Sequence, residues 1–191
     1  MTVLITRVKS DADVQGIIDL QQANLKRNLS PEAIETEGFV TLEHSFDTMK
    51  RMNDAAPSII AKDGDKVVGY ALVMLPEFKE DVPALVGLFE NINRTVYQNQ
   101  PLADLNYVIV GQLCVGLGYR GIGLVGKLYD HYRSELIESF DMCLTDISSK
   151  NPRSRKAHER AGFRVISSFF DEAAQDTWEL ILWDWQAGNE A

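Results

Sequence analysis

An α/β or α+β fold is predicted by three observations. Strand, helix and turn signals alternate along the whole chain, a hairpin pattern precedes a strand–loop–helix–strand run, and no repeat or low-complexity tract interrupts them. With 191 residues and 45 % hydrophobic content the chain can bury an ordinary core, and the length predicts one domain over 1–191.

Taken in order, residues 3–8 read as a strand. Val14, Ile17, Ile18 and Leu25 recur at helical spacing and predict a helix over 11–28, which Ser30-Pro31 stops. Ser45 is placed to cap a helix running to about Met52. The runs 58–62 and 67–75, joined by Asp63-Gly64, form a hairpin. Residues 76–105 carry Pro76, Pro83 and Pro101 around one short helix over 84–91, too long for a hairpin loop, and read as a lid or specificity loop. Residues 107–115 form an apolar strand whose Gly111-Gln112 step signals a bulge or a ligand close to the backbone. Ile122, Val125, Tyr129, Tyr132, Leu136 and Phe140 trace one helical face, and 142–147 is the next strand. Asn151 caps a helix with Pro152 at its first position and Gly162 closing it; 163–170 and 177–183 are the last strands, the final one apolar enough for burial on both faces.

The formal charge of −9 excludes nonspecific binding to nucleic acid or anionic lipid as the main activity, because phosphate contacts need clustered cations. A cationic partner is easier to accommodate. Local charge differs: Arg120, Lys127, Arg133, Lys150, Arg153, Arg155, Lys156, Arg160 and Arg164 fall in two short segments that read either as an anion site or as solvated helix faces. No apolar run approaches the roughly 18 residues of a membrane span, and the first residues lack the pattern of a cleaved leader, so a cytoplasmic location is expected. Cys114 and Cys143 lie in apolar runs without metal-ligand spacing; they read as buried free thiols, and no metal is expected.

The run Gly116-Leu-Gly-Tyr-Arg-Gly-Ile-Gly-Leu-Val-Gly-Lys127 is where chemistry concentrates. Its glycines can aim backbone N–H groups at a phosphate where a helix begins. As a P-loop it lacks the Ser or Thr that holds magnesium, since Leu128 follows Lys127. As a dinucleotide loop it has Asp146 placed 23 residues after Gly123, but too little chain follows for a doubly wound sheet. Residue chemistry alone leaves a phosphate site and a plain glycine-rich turn both open.

The run Leu113-Cys-Val-Gly-Leu-Gly-Tyr-Arg-Gly-Ile-Gly-Leu-Val-Gly-Lys-Leu128, with its Arg120-x-x-Gly123 core, followed by Asn151-Pro-Arg-Ser-Arg-Lys-Ala-His-Glu-Arg-Ala-Gly-Phe163, closely resembles the two signature motifs of the GNAT superfamily of acyl-CoA N-acyltransferases. The resemblance implies a three-layer fold with a central mixed seven-stranded sheet flanked by helices, leaving only 76–105 unplaced. It implies acetyl-CoA as cosubstrate, with the strand at Leu113, Cys114 and Val115 pairing with the pantetheine arm. The loop of Arg120, Gly121, Ile122, Gly123, Leu124, Val125 and Gly126 would surround the diphosphate. Val125 departs from the family pattern, which asks for a small residue there. Asn151 resembles an asparagine that touches the pantetheine arm, although its capping position alone would explain it. Lys127, Arg153, Arg155 and Lys156 are candidate partners for the adenosine phosphates.

Aminolysis of a thioester needs a deprotonated amine, an oxyanion stabiliser and a proton for the departing thiolate. In members acting on protein N-termini, a glutamate at the end of the fifth strand and a tyrosine twelve residues later resemble the base and acid; Asp146 and His158 hold those positions here. Asp146 is equally placed to satisfy loop amides, and His158 to pack within its helix layer; Tyr107, Tyr129 and Tyr132 are alternative acids, and Gln112 is placed to orient substrate. The expected activity is transfer of an acetyl group to a primary amine of a small molecule or peptide in a ternary complex, with segments near 22–28, 37–39 and 76–105 binding the acceptor. A noncatalytic acyl-CoA sensor is the alternative, and a homodimer is compatible with the sequence.

Overall fold

The computed structural model describes residues 2–37, 39–172 and 175–187. The elements in chain order are β1 (Val3–Arg7), α1 (Asp11–Asn24), α2 (Pro31–Glu37), α3 (Phe46–Ala55), β2 (Ile59–Asp63), β3 (Lys66–Met74), α4 (Val86–Arg94), β4 (Val96–Tyr97), β5 (Gln100–Pro101), β6 (Tyr107–Val115), α5 (Leu124–Leu136), β7 (Met142–Ser148), α6 (Pro152–Ala161), β8 (Arg164–Asp171) and β9 (Asp176–Asp184). Seven strands form one mixed sheet in the order β1-β2-β3-β6-β7-β9-β8, with β6 and β7 parallel and every other pair antiparallel. The mixed sheet between helical layers is the expected fold.

Both faces of the sheet are covered, which is why its inner strands read as unbroken apolar runs. Along β3, Val68, Ala71 and Val73 face Leu128, Tyr129 and Tyr132 of α5. The alternate residues Val67, Tyr70 and Leu72 face Val14 and Ile17 of α1 and Met49 of α3. Met74 turns toward a third cluster built largely by the 76–105 segment, where Phe78, Val82, Leu85, Leu88, Phe89 and Ile92 pack under Ile109, Leu144 and Leu182.

That segment is therefore a folded layer rather than a lid. Pro76 and Pro83 each open a short 3-10 turn, where a missing N–H costs nothing, and α4 follows directly. Gln98 and Asn99, both at positive φ, turn β4 into β5. Two further differences have local causes. Ser30-Pro31 starts a helix and does not end the one before it, since α1 stops at Asn24, where Leu25 turns extended and bridges Val40: the Ser30 hydroxyl accepts from Ala33 N–H at 3.2 Å and proline takes the first helical position, giving α2. Ile122 shares the apolar periodicity of α5 but lies outside it, 58 % exposed, because Gly121 and Gly123 adopt positive φ and delay the helix to Leu124.

Candidate active site

The site is built by an interruption in the sheet. β6 and β7 pair only from Tyr107–Met142 to Ile109–Leu144; beyond that point the parallel strands part. On its other edge, β6 shifts register against β3 between the Ala71–Leu113 and Val73–Val110 pairs, which places the extra residue at Gly111-Gln112, the expected bulge. A β-carbon on Gly111 would sit 3.2 Å from that of Met74, tighter than ordinary contact, so a side chain at this step would need Met74 to give way.

Past the bulge, the Gly116 N–H donates to the Val68 carbonyl at 2.9 Å. Antiparallel alternation then makes Cys114 the hydrogen-bonded partner of Tyr70 and turns the backbone groups of Leu113 and Val115 toward the gap beside β7. Arg120 takes one of these: its Nε donates to the Val115 carbonyl at 2.8 Å, and an Nη donates to Asn24 Oδ1 at 2.5 Å. The guanidinium thus ties the glycine loop to α1. Hydrogen bonds to a charged donor contribute about 1.5–3 kcal/mol each when buried, and Arg120 is partly exposed, which screens both of its bonds; Arg120→Ala is therefore expected to lower unfolding free energy by about 1.5–3 kcal/mol in total, readable in a denaturant titration, and to weaken coenzyme A binding by loosening the loop.

The loop ends at Gly123, which caps α5 at φ 78°. The first intrahelical bond runs from Lys127 N–H to the Gly123 carbonyl, so the N–H groups of Leu124, Val125 and Gly126 have no acceptor within the helix. They open onto a cavity of about 730 Å³. Its wall contains Leu113, Cys114, Val115, Arg120, Gly121, Gly123, Leu124, Val125, Gly126 and Asn151. Of the loop residues expected to hold a cofactor, only Ile122 is not on that wall. A β-carbon added at Gly126 would meet nothing within 4 Å, so no packing demand explains that glycine.

Asn151 serves two elements at once. Its Oδ1 accepts from Ser154 N–H at 3.1 Å, capping α6, while the residue lines this cavity and a second one. Arg153, Lys156 and Arg160 recur at three- and four-residue spacing and present one face of α6 to the first cavity. Arg160, named in the sequence only as one of the basic residues of this segment, joins Arg153 and Lys156 on the cavity wall. Arg155 is paired with Glu159 and Glu179 instead, and Lys127 is not on the wall.

The second cavity, about 400 Å³, lies across the gap and shares Phe39, Val40, Leu113, Asn151 and Ser154 with the first. Asp146 and His158 both line it. Asp146 is half-buried; burial, reinforced by the negative charge of Asp171, pushes its carboxyl up to about 7. His158 is 4 % exposed and held down at about 4 by burial, so its ring is neutral. Its Nδ1 lies 2.8 Å from the Ser154 carbonyl and must carry the proton there, leaving a lone pair on Nε2. Ring contacts with Tyr129 and Phe163 fix its orientation.

Tyr107, Tyr129 and Tyr132 line neither cavity; Tyr132 donates to the Ile109 carbonyl, and Tyr129 sits in the aromatic core, so none is placed to protonate a leaving group. Gln112 reaches the second cavity, yet its Oε1 accepts from Gln21 and Tyr70 and its Nε2 donates to the Leu42 carbonyl, a junction that pins α1 and the 40–44 segment to the bulge. Leu85 and Leu88 come from the 76–105 segment expected to bind the acceptor; Phe169, Asp171 and Trp178 complete the wall and carried no local sequence signal. Among the described residues no group of three or more His, Cys, Asp or Glu side chains is placed to hold a metal, and no helix is long and apolar enough to cross a membrane.

A family model described as the acetyltransferase (GNAT) family matches residues 23–163, and the chain belongs to that family. No curated protein sequence matches it. Among solved structures, a chain of the NatC complex bound to Gag peptide and CoA superposes with a TM-score of 0.65 at 13 % identity, over 96 % of this chain and 99 % of that one. Ard1 from Thermoplasma volcanium gives 0.64 at 11 % identity, over 95 % and 97 %. The ribosomal-protein-S18-alanine N-acetyltransferase from Escherichia coli gives 0.61 at 11 % identity, over 96 % and 94 %. At such identities the likeness establishes a shared fold, while family membership makes acetyl transfer the general chemistry.

Proposed function

We propose that the protein is an acetyl-CoA-dependent N-acetyltransferase that moves an acetyl group directly to a primary amine of a small molecule or peptide within a ternary complex. One observation carries this reading: the two cavities meet where β6 and β7 part, with Leu113 and Asn151 in both walls. A thioester lying along the first would present its carbonyl to a nucleophile in the second.

The residues suit that arrangement. The unpaired amides at the start of α5 and the cationic face of α6 match a diphosphate and its phosphorylated ribose, and the Leu113 backbone groups with the Val115 N–H match the amides of a pantetheine arm, the Val115 carbonyl being taken by Arg120. Leu113 and Val115 are the pairing residues in this reading, since the Cys114 backbone serves β3.

Asp146 takes the proton that the amine must lose before it attacks. An alkylammonium of pKa about 10 is nearly all protonated at neutral pH, and a carboxylate titrating near 7 is poised to relay its proton through water. His158, neutral with an Nε2 lone pair, orients the incoming N–H by accepting from it. Attack forms the C–N bond, the tetrahedral centre collapses with cleavage of C–S, and the proton lost by nitrogen ends on the thiolate sulfur. Direct transfer fits the cysteines: burial pushes the Cys114 thiol up to about 12 and Cys143 higher still, so neither supplies a thiolate for an acetyl-enzyme.

The test is initial-rate kinetics with free thiol as readout, varying acetyl-CoA and amine together. Intersecting double-reciprocal lines are expected. Parallel lines would indicate an acetyl-enzyme, and coenzyme binding without turnover on any amine would leave the sensor reading.

A further inference from the structure

Phe39, Val40, Leu113, Asn151 and Ser154 stand on the walls of both cavities, and Ser154 alone among them carries a hydroxyl. It is half-buried in the first turn of α6. Its Oγ lies 3.4 Å from Nδ1 of His158, and since that nitrogen donates to the Ser154 carbonyl, the hydroxyl oxygen meets it only as an acceptor. The Ser154 O–H is thereby left without an acceptor among the described residues. The other hydroxyls on these walls are committed or remote. Tyr119 donates to Asp63, Thr145 to the Val110 carbonyl and Ser148 to Asp176, while Thr41 lines the second cavity alone.

The departing thiolate still needs a proton. His158 has its one N–H pinned to a carbonyl, and Tyr107, Tyr129 and Tyr132 are on neither wall. Resting on the transferase reading, we infer that the Ser154 hydroxyl is a further catalytic residue, carrying the last proton from nitrogen to sulfur. In the tetrahedral centre nitrogen and sulfur share one carbon, so a hydroxyl beside both closes a small ring through N–H, Oγ–H and S. Oγ takes a proton from the cationic nitrogen while its own hydrogen passes to sulfur and the C–S bond breaks. The hydroxyl is regenerated in the same step and no alkoxide forms. Asp146 takes the earlier proton, the one that the ammonium loses before attack. The start of α6 adds the positive end of a helix dipole, which favours the charge growing on sulfur.

The experiment compares the full chain with its Ser154→Ala and Ser154→Thr variants at saturating acetyl-CoA and amine, on whichever of phenethylamine, leucinamide and spermidine the parent acetylates fastest. Alanine suits a helix better than serine, and the carbonyl that holds His158 belongs to the main chain, so fold and histidine both withstand the change. Ser154→Ala is expected to lower kcat by about 10²-fold, the low end for proton transfer because a thiolate of pKa about 8.5 is already a fair leaving group. Melting temperature and coenzyme A affinity should hold. Ser154→Thr, which keeps a hydroxyl, should recover most of the lost rate. A Ser154→Ala rate within about twofold of the parent, or Ser154→Thr as slow as Ser154→Ala, would overturn the assignment and leave the transferase intact. Coenzyme A affinity falling in step with kcat would make the hydroxyl a binding contact and overturn it as well. Coenzyme binding without turnover by the parent on any of the amines would remove the transferase reading and the inference with it.

Discussion

Asp146→Asn is expected to lower kcat by roughly 10²–10⁴-fold, the usual contribution of a positioned general base, while coenzyme A binding measured by calorimetry stays unchanged. The two readouts separate because Asp146 lines the second cavity and not the first. For the parent protein, log(kcat/KM) should climb with pH through an inflection near 7 as the carboxyl ionises, and the variant should lose that inflection. The stability effect has the opposite sense. The folded state holds the proton up to about 7, whereas the unfolded chain releases it near 4, so between those values the folded state binds more protons and stability falls as pH rises. Asparagine removes that penalty, and thermal melting at pH 8 should therefore show Asp146→Asn no less stable than the parent. A large loss of stability instead would identify Asp146 as a support for the loop after β7.

Gly126→Asp should produce the second large effect, in the other substrate. Position 126 lies in the first turn of α5, has open space around its missing β-carbon and is exposed. An acidic side chain there suits the helix dipole, worth about 0.3–1 kcal/mol, and leaving glycine for aspartate recovers roughly 0.3 kcal/mol of helix propensity, so the melting temperature should hold or rise. Binding of coenzyme A should nevertheless weaken by at least about tenfold, because a carboxylate would stand where the diphosphate meets the α5 amides. A protein stabilised by the substitution yet binding the coenzyme undiminished would show that the anion rests elsewhere.

The parts of this site that were legible in the sequence are those written by neighbouring residues. The glycine loop, the Asn151-Pro152 start of α6 and the bulge at Gly111-Gln112 each follow from backbone requirements that a few consecutive residues declare. The acceptor side is different. Its wall draws on residues 39–42, 84–88, 111–113, 145–148 and 169–178, and nothing local in any one of these announces the others. Pro76, Pro83 and Pro101 suggest a loose loop because they break helical periodicity, yet the apolar residues between them fill the lower face of the sheet. Asp171 lies just past the strand expected over 163–170, and only the antiparallel return of β9 brings it near Asp146.

The early end of the β6–β7 ladder has an energetic meaning as well. A strand edge left open inside a fold is ordinarily a liability, since its amides and carbonyls invite another chain to pair with them. Here that edge is recessed between helices, where an extended thioester arm fits more readily than a foreign strand. The protein keeps one seam of its sheet unsewn, and in the proposed reaction the donor substrate would be the missing thread, released again once its cargo had been handed over.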